Sequence, residues 1–157
     1  MFNLVLISPE IPPNTGNVGR SILATGGKLH LVKPLGFKLD DYHLRRAGLD
    51  YWEDIDLTVW EGLDDIVAQV PAEKLHFFST RGKHRYDRHQ YRSGDWFLFG
   101  NESRGIDPAV LALHADRTFH IPMSNLAVRS LNLSSSAAVV LFEALRQNGF
   151  GAPGGAA

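Results

Sequence analysis

The sequence contains no cysteine. That removes disulfides, thiolate metal sites and cysteine nucleophiles together, and with them the disulfide-stapled secreted folds. Neither charge is in surplus: 16 Lys and Arg stand against 17 Asp and Glu in 157 residues, a formal net charge of −1. A surface coated uniformly in positive charge is therefore excluded, while a local basic patch is not. No apolar run approaches the ~20 residues of a membrane span. The opening run Met1–Ser8 has no basic lead-in and stops at Pro9-Glu10, so it reads as a strand rather than a signal peptide. No internal repeat is visible. The expectation is a soluble, cytoplasmic chain with no membrane partner.

With 44% hydrophobic residues, the chain can build one sizeable core but not two well-packed domains. A single domain is expected over residues 1–150, followed by a flexible tail, GAPGGAA, at 151–157. Phe2–Ser8, Lys28–Val32, Leu57–Trp60, Leu75–Thr80, Trp96–Phe99 and Thr118–Ile121 read as strands. Most are continuously apolar, as strands buried on both faces of a parallel sheet tend to be. Helices are expected at Asn17–Thr25, Asp40–Ala47, Gly62–Gln69 and Pro108–His114, with a last one from about Ser135 to Gln147. Asp107-Pro108 supplies a cap and a first-turn proline, and Gly149 a C-terminal stop. This alternation predicts an α/β fold, a mostly parallel sheet flanked by helices.

Charge is distributed unevenly along the chain. Residues 51–80 hold seven acidic side chains and one basic, whereas 81–92, RGKHRYDRHQYR, hold five Lys and Arg with two Tyr against one Asp. The second stretch suits phosphate neutralisation and stacking on unpaired bases, or else is a solvated loop. Arg45-Arg46 adds a second basic point.

Three segments are too polar and too rich in Gly and Pro to be explained by packing. In PEIPPNTGNVGR, residues 9–20, Asn14, Thr15, Gly16 and Asn17 follow the first strand and offer amides, a hydroxyl and backbone N–H groups. That suits an anion at a helix N-terminus, with Arg20 one turn further on; a Pro-rich turn with an Asn or Thr cap uses the same residues. In FLFGNESRG, residues 97–105, a strand ends at Gly100 and Asn101, Glu102, Ser103 and Arg104 follow. The carboxyl end of a parallel strand is a natural ligand position, although a polar loop with an internal Glu102–Arg104 contact fits equally. In the third segment Arg129, Ser130, Leu131 and Asn132 precede Ser134–Ser136, which read as the cap of the last helix. Ala138, Phe142 and Leu145 share one face of that helix. There is no G-x-S-x-G, no G-x-G-x-x-G after a strand and no phosphate-binding P-loop. The seven His show no metal-ligand spacing, so no metal is expected.

The stretches PEIPPNTGN-x-x-R at 9–20, LRRAGLDYW at 44–52, LFGNESRG at 98–105, and IPM…RSLNLS with FEALRQ at 121–147 occur in one order. Together they resemble the SPOUT class of RNA methyltransferases, and within it the small single-domain tRNA ribose 2′-O-methyltransferases that modify the wobble nucleotide. The resemblance spans residues 2–149. It implies a SPOUT-type α/β knot, with a C-terminal deep trefoil knot that holds S-adenosyl-L-methionine as methyl donor and needs no metal. Cofactor contacts would fall on Phe78, Ser79, Thr80, Gly100, Glu102, Ile121, Ser130 and Leu131. The catalytic group would comprise Arg20, Asn14, Glu102, Ser130 and Asn132. The implied partners are the anticodon region of tRNA and a second copy of the chain, with Arg20 of one subunit completing the other's site. Arg45, Arg46, Arg81, Lys83, Arg85, Arg88 and Arg129 would contact the RNA. Phe142 and Ser135 depart from the family, which commonly has Tyr and Asn there. Methylation of another tRNA or rRNA ribose, or RNA binding without catalysis, are the alternatives.

Overall fold

The computed structural model describes residues 1–40, 42, 49–125 and 127–150. Apart from Asp40 and Tyr42, the helix expected over Asp40–Ala47 lies outside these residues, with Arg45 and Arg46; so does the tail 151–157. Among the described residues seven strands form one sheet: β1 (Asn3–Ile7), β2 (Lys28–Val32), β3 (Leu57–Trp60), β4 (Leu75–Phe78), β5 (His84–Arg85), β6 (Trp96–Phe99) and β7 (Thr118–His120). Their order is β3-β2-β1-β6-β4-β7-β5, and every pairing is parallel. Among the described residues the helices α1 (Pro12–Thr25), α2 (Leu63–Gln69) and α3 (Pro108–Leu113) lie between strands, and α4 (Leu133–Gln147) follows β7.

Strand side chains alternate between two apolar layers, as the pleat requires. Leu4, Leu6, Leu29, Leu31, Phe97 and Phe99 face α1 and α4, where Val18, Ile22, Ala137, Val140, Leu141 and Ala144 close the layer. Val5, Val32, Phe77 and Leu98 face the opposite side, against Ile66 of α2 and Ile106 just before α3. Polar side chains inside these layers differ in their partners, and the buried Thr15 hydroxyl has none among the described residues. The Trp60 indole donates to His30 Nδ1 at 3.2 Å, which makes Nδ1 an acceptor and leaves Nε2 to donate to Asn3 Oδ1, also at 3.2 Å. His76 Nε2 lies 3.0 Å from Asp95 Oδ2 without making a hydrogen bond.

Several boundaries differ from the sequence expectation. Helix α1 begins at Pro12 rather than Asn17, because prolines in the first turn forfeit only N–H groups that have no intrahelical partner. Helix α4 begins at Leu133, and its cap is Asn132, not Ser134–Ser136. The basic stretch contains the short strand β5, which a two-residue element without alternation does not announce. Ala138, Phe142 and Leu145 lie on the less buried side of α4; the buried stripe is Leu133, Ala137, Val140, Leu141 and Ala144.

Candidate active site

Because all strands are parallel, their carboxyl ends share one edge. The chain runs from β1 outward through β2 to β3, then returns to β4 and continues on the other side, so the order reverses between β1 and β6. In open α/β sheets the ligand crevice opens at that reversal, outside the carboxyl ends of the strands. Leu6 of β1 is paired with Phe99 of β6, so segment 8–11 and loop 100–105 leave the sheet side by side.

The polar residues of these two segments meet. Helix α1 has Ile11 at its N-cap position, which carries no capping side chain. Glu102 accepts from the N–H groups just ahead of the helix: Oε2 receives the Glu10 N–H at 2.8 Å, and Oε1 receives the Ile11 N–H at 3.1 Å. A carboxylate at a helix N-terminus is also favoured by the helix dipole. Asn14, buried in the first turn, donates Nδ2 to Glu102 Oε1 at 3.0 Å. Its Oδ1 accepts from Asn132 Nδ2 at 2.9 Å, and Asn132 Oδ1 in turn caps α4 by accepting from Ser134 N at 2.8 Å. Glu102 offers only acceptors here, so the orientation of both Asn amides follows from it along the chain of bonds. Three residues from three distant motifs thus form one relay joining the starts of α1 and α4. The Glu102–Arg104 contact is absent among the described residues; the Arg104 N–H donates to Asn101 Oδ1 instead.

Gly100 has a steric reason. A β-carbon there would overlap the backbone of Gly105 and Ile106, where the loop folds back on itself. The other expected residues distribute as follows. Ser79 donates its N–H to Phe119 O at 2.9 Å and Thr80 is exposed, so the β4 loop reaches the same edge. The Phe78 side chain lies in the core, stacked on Phe99, and leaves only its backbone near the crevice. Ile121 is half-buried after β7, while Ser130 and Leu131 are exposed before α4. Arg20 is not part of the relay: it lies six residues beyond Asn14, about 9 Å along the axis, on the exposed side of α1. It has no hydrogen-bond or ion-pair partner among the described residues.

The expected RNA contacts divide into two groups. Lys83 is paired with Asp116 at 2.6 Å, and Arg85 forms a two-point pair with Asp87. Arg81, Arg88 and Arg129 are exposed and unpaired among the described residues. His84, Arg85, Arg88, His89, Asp116 and Phe119 line a cleft of about 210 Å³ at the β5 edge of the sheet. Burial holds His89 neutral, its pKa pushed down to about 4, with the nearby His76 and Arg117 adding to the effect.

The sequence reading did not single out Glu10, whose carboxylate accepts from Ser103 N at 3.1 Å and Ser103 Oγ at 2.8 Å. Nothing in the sequence pattern pairs Glu10 with Ser103, which lies 93 positions away.

A parallel sheet covered on both faces, with a polar crevice at its switch point, is the architecture of ligand-binding α/β proteins. More narrowly, the chain belongs to the SpoU rRNA Methylase family, whose model matches residues 1–142. It is 49% identical to the tRNA (cytidine(34)-2′-O)-methyltransferase of Burkholderia pseudomallei (strain 1106a), over 96% of this chain and 97% of that one. A solved structure giving structural insights into the 2-OH methylation of C/U34 on tRNA has a TM-score of 0.90 at 44% identity, covering 95% of this chain and 97% of that one. The AdoMet-bound rRNA methyltransferase from Sinorhizobium meliloti is 26% identical with a TM-score of 0.82; the match covers 92% of this chain and 56% of that one.

Proposed function

We propose that this chain methylates the ribose 2′-hydroxyl of the wobble nucleotide of tRNA, position 34, a cytidine or modified uridine, with S-adenosyl-L-methionine as donor. The observation that carries the reading is the joining of Asn14, Glu102 and Asn132 at the switch-point crevice in a chain similar, over nearly its whole length, to a tRNA (cytidine(34)-2′-O)-methyltransferase.

The crevice suits the cofactor. Three loops, after β4, β6 and β7, reach one edge from adjacent strands, and Ile121 and Leu131 are apolar side chains within otherwise polar segments. Such a lining fits a flat, neutral adenine, with backbone groups of Phe78–Thr80 and Gly100–Glu102 for its polar edge. When bound, the cofactor supplies an electrophilic methyl on a sulfonium, so the protein's task is orientation and help with the hydroxyl proton. Arg20 is a poor free base, since a guanidinium keeps its protons in proteins. Its role in this reading is to hold the neighbouring phosphate and stabilise charge developing on the 2′-oxygen. Asn14, Glu102, Ser130 and Asn132 set the ribose and the methionine end against it.

Assembly as a homodimer belongs to the same reading. Val139 and Phe142 of α4 and Ile11 before α1 are exposed, on helices that share one face of the sheet. A second copy on that face would cover these side chains and bring the partner subunit's Arg20 to this chain's relay. Threading of the C-terminal segment as a trefoil knot and a cytoplasmic location complete the reading. Among the described residues no helix is long and apolar enough to cross a membrane.

Incubating the protein with unmodified tRNA and methyl-labelled cofactor tests the proposal. Nucleoside mass spectrometry should find one 2′-O-methyl group, at nucleotide 34. Label at any other ribose, or none, rejects it.

A further inference from the structure

We propose that Glu10 is a positioning residue that holds loop 100–105 in the shape the cofactor needs, a role that rests on the functional reading above. The loop is closed internally: Gly105 N–H donates to Asn101 O at 2.9 Å, and Arg104 N–H to Asn101 Oδ1 at 2.8 Å. A closed loop can still rock as a unit on the end of β6. Two side chains tie it to the segment after β1, and they do so reciprocally. Glu102 reaches across to accept from Glu10 N and Ile11 N, and Glu10 reaches back to accept from Ser103 N and Ser103 Oγ. Each segment therefore contributes both a carboxylate and backbone donors. Ile106 anchors the far end of the loop in the core, but without Glu10 its tie to the segment after β1 would rest on the Glu102 side chain alone. The return bonds from Ser103 fix its angle, and with it the direction of the Gly100–Glu102 backbone. Sheet pairing and core packing do not call for Glu10: it lies outside both apolar layers, and the Leu6–Phe99 pairing already sets the segments side by side.

The bonds make a distinctive demand on chemistry. Ser103 presents one obligate donor, its N–H, and one group that both donates and accepts, its hydroxyl. A glutamine at position 10 can accept the N–H with its oxygen and donate its amide to the hydroxyl, so Glu10→Gln preserves the clamp. Glu10→Ala removes it. A role in charge alone would make the two variants alike.

Two measurements test this. In the cofactor-free protein, residue-resolved amide exchange at Ser103 should rise about tenfold or more in Glu10→Ala and stay within about twofold of the unaltered protein in Glu10→Gln. Calorimetric Kd for S-adenosylmethionine, measured well below the unfolding temperature, should weaken about tenfold in Glu10→Ala and little in Glu10→Gln. The KM for tRNA should not move in either. An unchanged Ser103 amide in Glu10→Ala overturns the clamp. A freed amide with unchanged cofactor affinity overturns the positioning role and leaves a purely structural brace. Equal defects in both variants overturn the geometric account in favour of charge. If the unaltered protein binds no cofactor, the functional reading falls and the cofactor part of this proposal with it; the exchange result then judges the clamp alone.

Discussion

A carboxylate that accepts from backbone and side-chain donors on both oxygens leaves no place for an amide. Glu102→Gln turns one acceptor into a donor facing either Glu10 N–H or the Ile11 and Asn14 donors. The mismatch should cost about 1–3 kcal/mol of unfolding free energy in denaturant titrations and remove most turnover. His30 makes a second prediction at this scale. Its ring is held neutral, with the pKa pushed down to about 4, chiefly by burial, with Lys28 adding and Asp56 opposing. The unfolded chain takes up this proton near the ordinary value of 6.5, while the folded chain resists until about 4. Stability is therefore full above 6.5 and lost as pH falls from 6.5 towards 4, by up to about 1.4 kcal/mol per pH unit from this residue. Denaturant titrations between pH 7 and 4.5 should show that slope, reduced by about one proton in His30→Gln. Asn14, Glu102 and Asn132 were legible in the sequence because polar residues at strand and helix ends, beside Gly and Pro, lack a packing explanation. Their partners were not. The bonds join residues 88 and 118 positions apart, and such contacts depend on strand order, which periodicity does not encode.

Helix starts carry more of the site than the sequence pattern suggested. The segment PPNTGN reads as a turn by composition, yet it opens α1, and Glu102 crosses from the loop after β6 to accept from the Ile11 N–H just ahead of it. The apolar strands were legible almost to the residue, because strands buried on both faces in a parallel sheet have no polar interruptions to blur them. At the start of α4, Asn132 holds two functions in one side chain: Oδ1 caps the helix and Nδ2 reaches Asn14. Aspartate separates them. Asn132→Asp keeps an acceptor for Ser134 N and adds a charge favoured at a helix N-terminus, but sets an oxygen against Asn14 Oδ1. Asn132→Ala should lower stability by about 1 kcal/mol and Asn132→Asp by less, measured by thermal or denaturant unfolding. Turnover should fall roughly tenfold or more in both, because misplaced reactants lose rate without loss of fold. Asn132→Asp with full turnover would remove Asn132 from the site.

Over the whole molecule the formal charge of −1 conceals a division between an acidic segment 51–80 and a basic one, 81–92. Within the basic segment Arg81 and Arg88 are unpaired and can neutralise phosphates, releasing the counterions condensed on the RNA, without first giving up a carboxylate, while Lys83 and Arg85 are engaged by Asp116 and Asp87. Replacing Arg81 and Arg88 by Ala should flatten the log–log salt dependence of tRNA binding by roughly 0.7–0.9 per lost phosphate contact, with turnover at saturating tRNA retained. Arg20 calls for a different experiment, since in the function proposed above it acts on the relay of a second copy. In a two-fold dimer each site would combine one chain's relay with the partner subunit's Arg20. Arg20→Ala leaves its own relay intact, and Glu102→Gln leaves its own Arg20 intact. Each pure variant should be nearly inactive, while sedimentation should give for both about twice the 17.4 kDa chain mass. After subunit exchange in a one-to-one mixture, half the dimers are mixed and each of those holds one complete site. Activity should then recover to about a quarter of the unaltered protein's. No recovery, with mixed dimers verified by mass spectrometry, would mean that Arg20 serves its own chain's relay, which would require α1 to turn its exposed side towards the crevice. Recovery would assign the two halves of the site to two chains.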